Sequence, residues 1–338
     1  MNPGTFAGAV PILGNQGVKR QIPFQTSTVW TVPNTALYVV YAIGGGGSGA
    51  CGFLGGGNAG TGGGAGGITF KTIFLSKGSK INITIGAGGA AILNTNSNGN
   101  AGGTTYVTGG GLNLVATGGT GGVRASTSTI AGGTGGTGYG GDFNYTSGNG
   151  GIIYNNSSTT ATGGGAVAFY GTAYNGGVAQ NPGGGYCASG GAGVGGNGGY
   201  ALMNGGANCF SWGGNSFATA NSVTDSSNGN YPVSTGSTTD SAPNISLAST
   251  DLLIPLGGNS WAANLNSNQT GSFGSGGYGS GYLSGRGFLG GGGGAGGASA
   301  VGGDAFFGGG GGGATSSSYA SSGFGGTGLV VFTWTVQR

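Results

Sequence analysis

Gly-Gly-x triplets recur along this chain and constrain its fold more than any other feature of the sequence. They occur in "GGGAGG" (62–67), "TGGTGG" (117–122), "GGTGGTG" (132–138) and "GGGGAGGASAVGG" (291–303). Period three is the turn of a polyproline II-type helix, in which every N–H and C=O group points outward. Such helices can pair these groups with neighbouring helices when nothing larger than hydrogen lines the contact. A flexible linker is the alternative, but the triplets recur between predicted strands, which favours a packed bundle.

The overall composition predicts a folded chain. Of 338 residues, 94 are glycine, while 36% are hydrophobic, 10% aromatic and only 4% charged. Disordered chains are usually poor in apolar residues and rich in charge. The scattered basic residues disfavour nucleic-acid binding, and the apolar runs are too short for a membrane-spanning helix. The N-terminus also lacks the pattern of a signal peptide.

Segments rich in β-branched and aromatic residues lie between the triplets and predict β-strands. These are residues 37–43, 68–74, 81–85, 104–108, 112–117 and 329–336. The "SKGSK" stretch predicts a hairpin between the second and third, and three glycines predict one between the fourth and fifth. We expect the first and last strands to share a sheet. The predicted fold is mainly β: β-sandwich or jelly-roll-like strands combined with a polyglycine II helix bundle, and essentially no α-helix.

Two insertions of different composition interrupt the predicted domain, which covers residues 28–338. They span residues 139–175 and 215–271, and the first is rich in aromatic residues and asparagine. Aromatic side chains beside small amides and hydroxyls are typical of recognition loops. An ordinary structural role, covering the ends of the bundle, stays open for each of them. The candidate binding residues are Phe143, Tyr145, Tyr154, Asn155, Phe169, Tyr170 and Tyr174.

The stretch "VVYAIGGGGSGACG" (39–52) contains the G-x-G-x-x-G spacing of dinucleotide-binding domains, but its context excludes that site. A helix must follow the glycines, with an acidic residue about 20 positions on. Here more glycine follows, and the first acidic residue is Asp142. The chain has no histidine and no glutamate, and its five aspartates form no paired motif. We therefore expect no enzymatic activity and no cofactor.

The three cysteines, Cys51, Cys187 and Cys209, are widely separated. With no C-x-x-C spacing and no histidine they match neither a disulfide framework nor a zinc site. We expect buried free thiols and no metal site.

Several motifs, in order, resemble the glycine-rich domain of bacteriophage tail fibres. They are "WTVPNTALYVVYAIGGGGSGA", "GGGAGGITFKTIFLSKGSKINITIGAGG", "AGGTTYVT", "LVATGGTGG" and the terminal "GGTGLVVFTWTV". The resemblance covers roughly residues 28–122 and 285–338. The triplets are also similar to the polyglycine II domain of the distal adhesins of T-even-like phages. In those adhesins stacked glycine helices form a rigid core, and loops at its tip bind bacterial receptors. The strong β-strands depart from the adhesin pattern.

The resemblance implies a non-enzymatic virion protein, assembled in the host cytoplasm, that recognises a bacterial surface glycan or outer-membrane protein. It further implies that residues 1–27 attach the domain to other tail or fibre proteins. Fibres of this kind are usually trimers, although a monomeric cap is also known. Two alternatives stay open: a purely structural virion component and an ice-binding polyglycine bundle. Neither nucleic-acid binding nor membrane insertion is expected. The candidate attachment residues are Phe6, Ile12, Lys19 and Arg20.

Overall fold

The computed structural model describes most of the chain between residues 18 and 336. The described residues are 18–53, 59–125, 129–154, 160–169, 171–180, 187–194, 196–202, 209–210, 223–224, 284, 286–287, 290–296, 301–316 and 320–336. Phe6, Ile12, Asn155 and Tyr170 lie outside them, as does the predicted insertion 215–271 apart from residues 223–224.

Two five-stranded sheets form a β-sandwich at one end of the domain. The first sheet contains β1 (Val18–Phe24), β3 (Ala36–Ile43), β6 (Ile68–Leu75), β13 (Phe143–Tyr145) and β22 (Leu329–Val336). The second contains β2 (Thr28–Thr31), β7 (Lys80–Thr84), β8 (Thr105–Gly109), β9 (Leu112–Ala116) and β12 (Gly138–Tyr139). The strand order is β1-β22-β3-β6-β13 in the first sheet and β12-β9-β8-β7-β2 in the second. All pairs within both sheets are antiparallel.

Strict alternation of side chains builds the core between the two sheets. In β7, Ile81 and Ile83 are buried while their neighbours in the strand are exposed, the pattern of a half-buried strand. Aromatic residues fill one end of this core, and the rings of Trp30 and Phe332 lie 4.5 Å apart between centroids. Phe24, Tyr38 and Trp334 complete the cluster. These contacts hold the sandwich together with conventional side-chain packing.

The structure confirms the mainly β fold and most of the predicted strand pairs. The first and last predicted strands do share a sheet, with Ile43 opposite Leu329. The hairpin between β8 and β9 also forms, and its three glycines at 109–111 all have positive φ. The hairpin predicted at "SKGSK" is wrong, because β6 and β7 belong to different sheets. Leu75 and Ile81 both pack into the core, so the chain crosses between sheets there.

The N-terminal lead contributes a strand to the domain. Residues 18–24 form β1 and pair along their full length with β22, from Val18 opposite Val336 to Phe24 opposite Val330. Whether residues 1–27 also serve attachment stays a prediction.

Extended glycine segments lead from the strands into a second unit, the glycine bundle. Segment 44–50, which follows β3, shows its architecture. Every third residue of this segment donates to the same neighbour. The N–H groups of Gly44, Gly47 and Ala50 donate to carbonyl oxygens of segment 61–67. Those of Gly45 and Ser48 donate to segment 97–103. Those of Gly46 and Gly49 donate to segment 323–326. This threefold pattern is the one expected of a polyglycine II helix.

Each inner helix is surrounded by six others. The carbonyl groups of segment 44–50 accept bonds from three further segments, which contain Gly89, Gly119 and Gly311. Segments 61–67 and 308–315 likewise bond six neighbours each, and these two segments and 44–50 are mutually bonded. The bundle is therefore hexagonally packed, and its inner backbone groups pair mainly with other backbone groups. The N–H of Gly62, which donates to Thr162 Oγ1, is an exception.

Close approach is the reason for glycine at these positions. A Cβ on Gly47 would lie 2.0 Å from the carbonyl oxygen of Thr120, and one on Gly64 would lie 2.1 Å from that of Thr134. Neither glycine has a positive φ, so the backbone conformation itself does not require glycine. Hydrogen is the only substituent that fits.

Short strands cross-link the segments at the end of the bundle away from the sandwich. They are β4 (Cys51–Phe53), β5 (Ala59–Gly60), β10 (Arg124–Ala125), β11 (Thr129–Ile130), β14 (Ile153–Tyr154), β15 (Thr160–Ala161), β16 (Ala179–Gln180), β17 (Cys187–Ala188), β18 (Ala201–Leu202), β19 (Cys209–Phe210), β20 (Val223–Thr224) and β21 (Ala314–Ser316). They form three sheets, with the strand orders β10-β5-β15-β17-β19, β11-β14-β16-β18-β20 and β21-β4.

Candidate functional site

The domain has two distinct ends. Val18 and Val336 lie opposite each other where β1 begins and β22 ends. From there β22 runs eight residues back to the bundle, roughly 24 Å at about 3.4 Å per residue. Segment 44–50 continues away from the sandwich for roughly another 20 Å at about 3.1 Å per residue. The short strands and the turns beside them therefore form a tip, the distal end, remote from where the chain enters and leaves.

Loop 91–97 is the distal turn whose residues are all described. Its centre is exposed, and 63% of the surface of Leu93 is accessible. Asn94 adopts a left-handed conformation, with φ of 49°. Asparagine is one of the few non-glycine residues that tolerate this region. The loop thus presents one large apolar side chain next to Asn94, Thr95 and Asn96.

Backbone bonds and a buried thiol position this loop. Cys51 and Ser97 exchange two N–H···O bonds of 3.0 Å, and the N–H of Asn94 donates to the carbonyl oxygen of Ala320 at 2.9 Å. The thiol of Cys51 donates to the same oxygen at 3.5 Å. Burial raises the pKa of Cys51 to about 11, partly opposed by a backbone hydrogen bond at Thr95. The neutral thiol is thus a structural donor.

Two exposed apolar side chains flank a hydroxyl at the distal end. Leu93 and Val301 both form β-bridges to Ser321, and 43% of the surface of Val301 is accessible. No sequence pattern identifies Val301 as a candidate binding residue, because it lies inside a glycine-rich stretch.

Tyr154 lies in a different part of the distal end. The β14–β16 pair places it opposite Gln180, and the hydroxyl of Tyr200 donates to Gln180 Oε1 at 2.5 Å. Tyr154 remains 39% exposed. Among the predicted binding residues that the structure describes, it is the one at the distal end.

The other four described candidates lie next to the sandwich. Phe143 and Tyr145 form β13, where their rings lie 4.7 Å and 6.3 Å from that of Phe70. Phe169 packs against the same buried side chains of the sheet as Phe70 and Tyr145 do. Phe169 and Tyr174 also pack against alanine and valine side chains of the bundle. Phe143 is 51% exposed, whereas Tyr145, Phe169 and Tyr174 are half-buried. The half-buried rings cover the proximal end of the bundle, the structural role that the sequence left open.

The candidate attachment residues Lys19 and Arg20 lie on β1, opposite Thr335 and Trp334. They are therefore at the end of the domain opposite the tip. No cluster of three or more potential metal ligands occurs among the described residues. No helix in the described part of the chain is long and apolar enough to cross a membrane.

A repeat that sequence analysis missed organises one side of the bundle. Asn149, Asn175 and Asn197 each begin an "NGG" stretch and occupy equivalent positions in adjacent segments. The N–H of Asn149 donates to Asn175 Oδ1 at 2.8 Å, and the N–H of Asn175 donates to Asn197 Oδ1 at 2.7 Å. In this outer layer a side-chain oxygen replaces the backbone acceptor that an inner segment would supply.

The sequence matches a known protein family. A family model described as a glycine-rich domain matches residues 23–216, which is more than half of the chain. The matched region starts in β1 and extends through most of the sandwich into the repeated segments. No curated protein matches the sequence.

Proposed function

The chain belongs to the glycine-rich domain family, and on that premise we propose that it is a receptor-binding protein of a bacteriophage tail fibre. In this proposal it catalyses no reaction. Its distal end recognises a bacterial surface receptor, either a glycan or an outer-membrane protein. The domain acts as a rigid spacer that carries the recognition turns.

The separation of the two ends is the observation that supports this proposal most. Loop 91–97 and Tyr154 project from one end, while Val18 and Val336 meet at the other. A protein attached near Val18 therefore holds the distal turns farthest from the attachment point. The glycine bundle keeps those turns in place, because its backbone hydrogen bonds run between many segments.

The chemistry at the distal end suits an uncharged receptor surface. Leu93 and Val301 offer apolar contacts, while Asn94, Thr95 and Asn96 offer amide and hydroxyl groups. Arg124 is the charged residue among the described distal residues. Recognition would therefore depend on shape and hydrogen bonds more than on long-range electrostatic attraction.

The ice-binding alternative would use the regular threonine positions on the outer face of the bundle. Thr117, Thr120, Thr134 and Thr137 lie in two adjacent segments. The hydroxyl oxygens of Thr117 and Thr120 accept N–H bonds from Thr137 and Thr134, at 2.8 Å and 2.7 Å. These contacts occupy oxygens that an ice surface would need, which weighs against the alternative. A thermal-hysteresis measurement tests it directly.

The proposed function is tested by binding the fluorescently labelled full chain to a panel of bacterial strains and counting labelled cells by flow cytometry. We expect binding to a restricted set of strains. Leu93→Glu and Tyr154→Glu should each reduce it, because a charge would enter an uncharged contact. Treating the cells with protease or with periodate separates a protein receptor from a glycan.

The matched control is Val29→Glu. Val29 is 60% exposed, close to the 63% of Leu93, but it lies on β2 in the sandwich. This variant should bind like the unmodified chain. Failure to bind any strain of a broad panel contradicts the proposal and favours a purely structural component. Unchanged binding by both distal variants also contradicts the proposal, because the receptor contact would then lie elsewhere on the chain.

A further inference from the structure

A second surface lies at the sandwich end, where the chain enters and leaves. It is an open cleft of about 620 Å³ between the β2–β3 turn, the β6–β7 turn and the ends of β3 and β22. We call it the sandwich cleft. Its lining includes Leu37, Val39, Lys77 and Thr335.

Exposed apolar side chains border this cleft. Leu37 and Phe74 are cross-strand partners in the β3–β6 pair, and they are 59% and 64% exposed. Nearer the bundle the same face of the sheet is covered, because Phe169 and Phe307 pack against it. The half of the face around Leu37 and Phe74 thus remains accessible. Adjacent large apolar side chains that are accessible on a sheet form a candidate interaction surface.

The sandwich end is cationic in a protein that carries few charges. Its described residues include five basic side chains and one carboxylate. The basic residues are Lys19, Arg20, Lys71, Lys77 and Lys80, and the carboxylate is Asp142. Asp142 does not itself line the cleft. It accepts the N–H of Thr72 on β6 at 2.7 Å, and Thr72 lies opposite the lining residue Val39. Lys77 lines the cleft itself, and Lys19 lies opposite Thr335, which also lines it.

We propose that the sandwich cleft binds an acidic segment of another protein. An apolar side chain of that segment would contact Leu37 and Phe74, and its carboxylates would lie near Lys77 and Lys19. Complementary charge guides association and selects the partner, while buried apolar contacts supply much of the affinity.

Residues 1–338 contain no such acidic segment. They include no glutamate, and their five aspartates are spread over positions 142, 225, 240, 251 and 304. Neither a second copy nor another part of the same chain offers two carboxylates close together in sequence. The occupant is therefore a different protein. Because the cleft lies opposite the distal end, a partner bound there leaves the distal turns free, and the proposal does not depend on what those turns bind.

The experiment selects short random peptides on the immobilised full chain and measures the affinity of the selected peptides by fluorescence anisotropy. We expect the selected peptides to combine acidic residues with a large apolar residue and to bind more weakly at high salt. Lys77→Glu and Leu37→Ser should each lower their affinity by about tenfold. Circular dichroism establishes that each variant is folded.

Two matched controls locate the site. Lys80→Glu removes a cation elsewhere on the sandwich, where the Lys80 Nζ contacts Thr31. Val29→Ser changes an apolar residue of similar exposure to Leu37 on the other sheet. Both should bind the peptides as the unmodified chain does. The proposal is overturned if the selected peptides lack acidic residues. It is also overturned if Leu37→Ser and Lys77→Glu leave the peptide affinity unchanged. Self-association of the chain that Leu37→Ser abolishes also overturns it and assigns the surface to a second copy.

Discussion

The N–H of Gly47 donates to the carbonyl oxygen of Gly64 at 2.9 Å, and this bond joins two segments that each touch six others. Ordering glycine costs more conformational entropy than ordering any other residue. The bundle offsets that cost with backbone hydrogen bonds to six neighbours around each inner segment. Its packing therefore depends on the absence of side chains, whereas the packing of the sandwich depends on their presence.

Adding a single carbon inside the bundle should destabilise it severely. A Cβ on Gly133 would lie 2.3 Å from the carbonyl oxygen of Thr120 and 2.7 Å from the nitrogen of Gly64. Both obstacles are backbone atoms held by other bonds, so they cannot move aside cheaply. We expect Gly133→Ala to lower the free energy of unfolding by about 3 kcal/mol. Chemical denaturation followed by circular dichroism measures the change.

Ala131→Val is the control for that substitution. Ala131 lies in the same segment but is exposed, so the added methyl groups enter solvent. Its effect should stay within about 0.5 kcal/mol, as for most surface substitutions. If Gly133→Ala and Ala131→Val both change the free energy of unfolding by the same small amount, the segment is not tightly packed and a flexible linker is favoured.

The sequence predicts this architecture well where a pattern is local. It predicts poorly which of several distant segments pair with each other. The alternation in 81–85 and the triplets in 132–138 correctly predict a strand and a glycine segment. The crossing at "SKGSK" was mispredicted, because a short polar turn fits a hairpin and a crossing equally well. The chain crosses between the sheets here because Leu75 and Ile81 both pack into the core between them. That packing involves residues distant in sequence, so the local pattern does not predict it.

The candidate site shows the same limit. Aromatic content alone could not separate Tyr154, at the distal end, from Phe169, which packs beside the sandwich. Their positions depend on how many residues of each glycine segment precede the turn. Leu93 was missed because one leucine in a polar loop is a weak signal until Ser321 is placed beside it.

The outer asparagine ladder should stabilise the bundle through its side-chain oxygens. Asn175→Ala leaves the N–H of Asn149 without the acceptor 2.8 Å away. We expect a loss of about 1 kcal/mol and faster hydrogen exchange at Asn149. Asn175→Asp keeps an acceptor oxygen and should preserve most of the protection. Equal exchange in both variants contradicts a role for that oxygen.

Stability should decrease with rising pH in alkaline solution because of Cys51. The pKa of this thiol is raised from 9.0 to about 11 in the folded protein, chiefly by burial. Between these values the unfolded chain loses the thiol proton while the folded chain keeps it, which favours unfolding as pH rises. The contribution is fully present below pH 9.0 and is lost as pH approaches about 11.

Cys51→Ala isolates this effect from other alkaline titrations. Denaturation midpoints of both proteins at pH 8 and pH 10 should show a smaller decrease for the variant. An equal decrease for both contradicts the assignment to Cys51. Thiol-reactive reagents should label Cys51 only after unfolding, since its side chain is fully buried.

The sandwich and the bundle should unfold together, because the chain passes repeatedly between strands and glycine segments. Phe332 is fully buried and touches Phe24, Trp30 and Tyr38. We expect Phe332→Ala to cost about 3–5 kcal/mol, against little for Phe324→Ala, where the ring is 52% exposed. Fluorescence of Trp30 and Trp334, measured with Trp212 and Trp261 replaced by phenylalanine, reports the sandwich, and hydrogen exchange in segment 44–50 reports the bundle. Both signals should shift to the same lower denaturant concentration. Persistent protection of segment 44–50 after the fluorescence change contradicts a single cooperative unit.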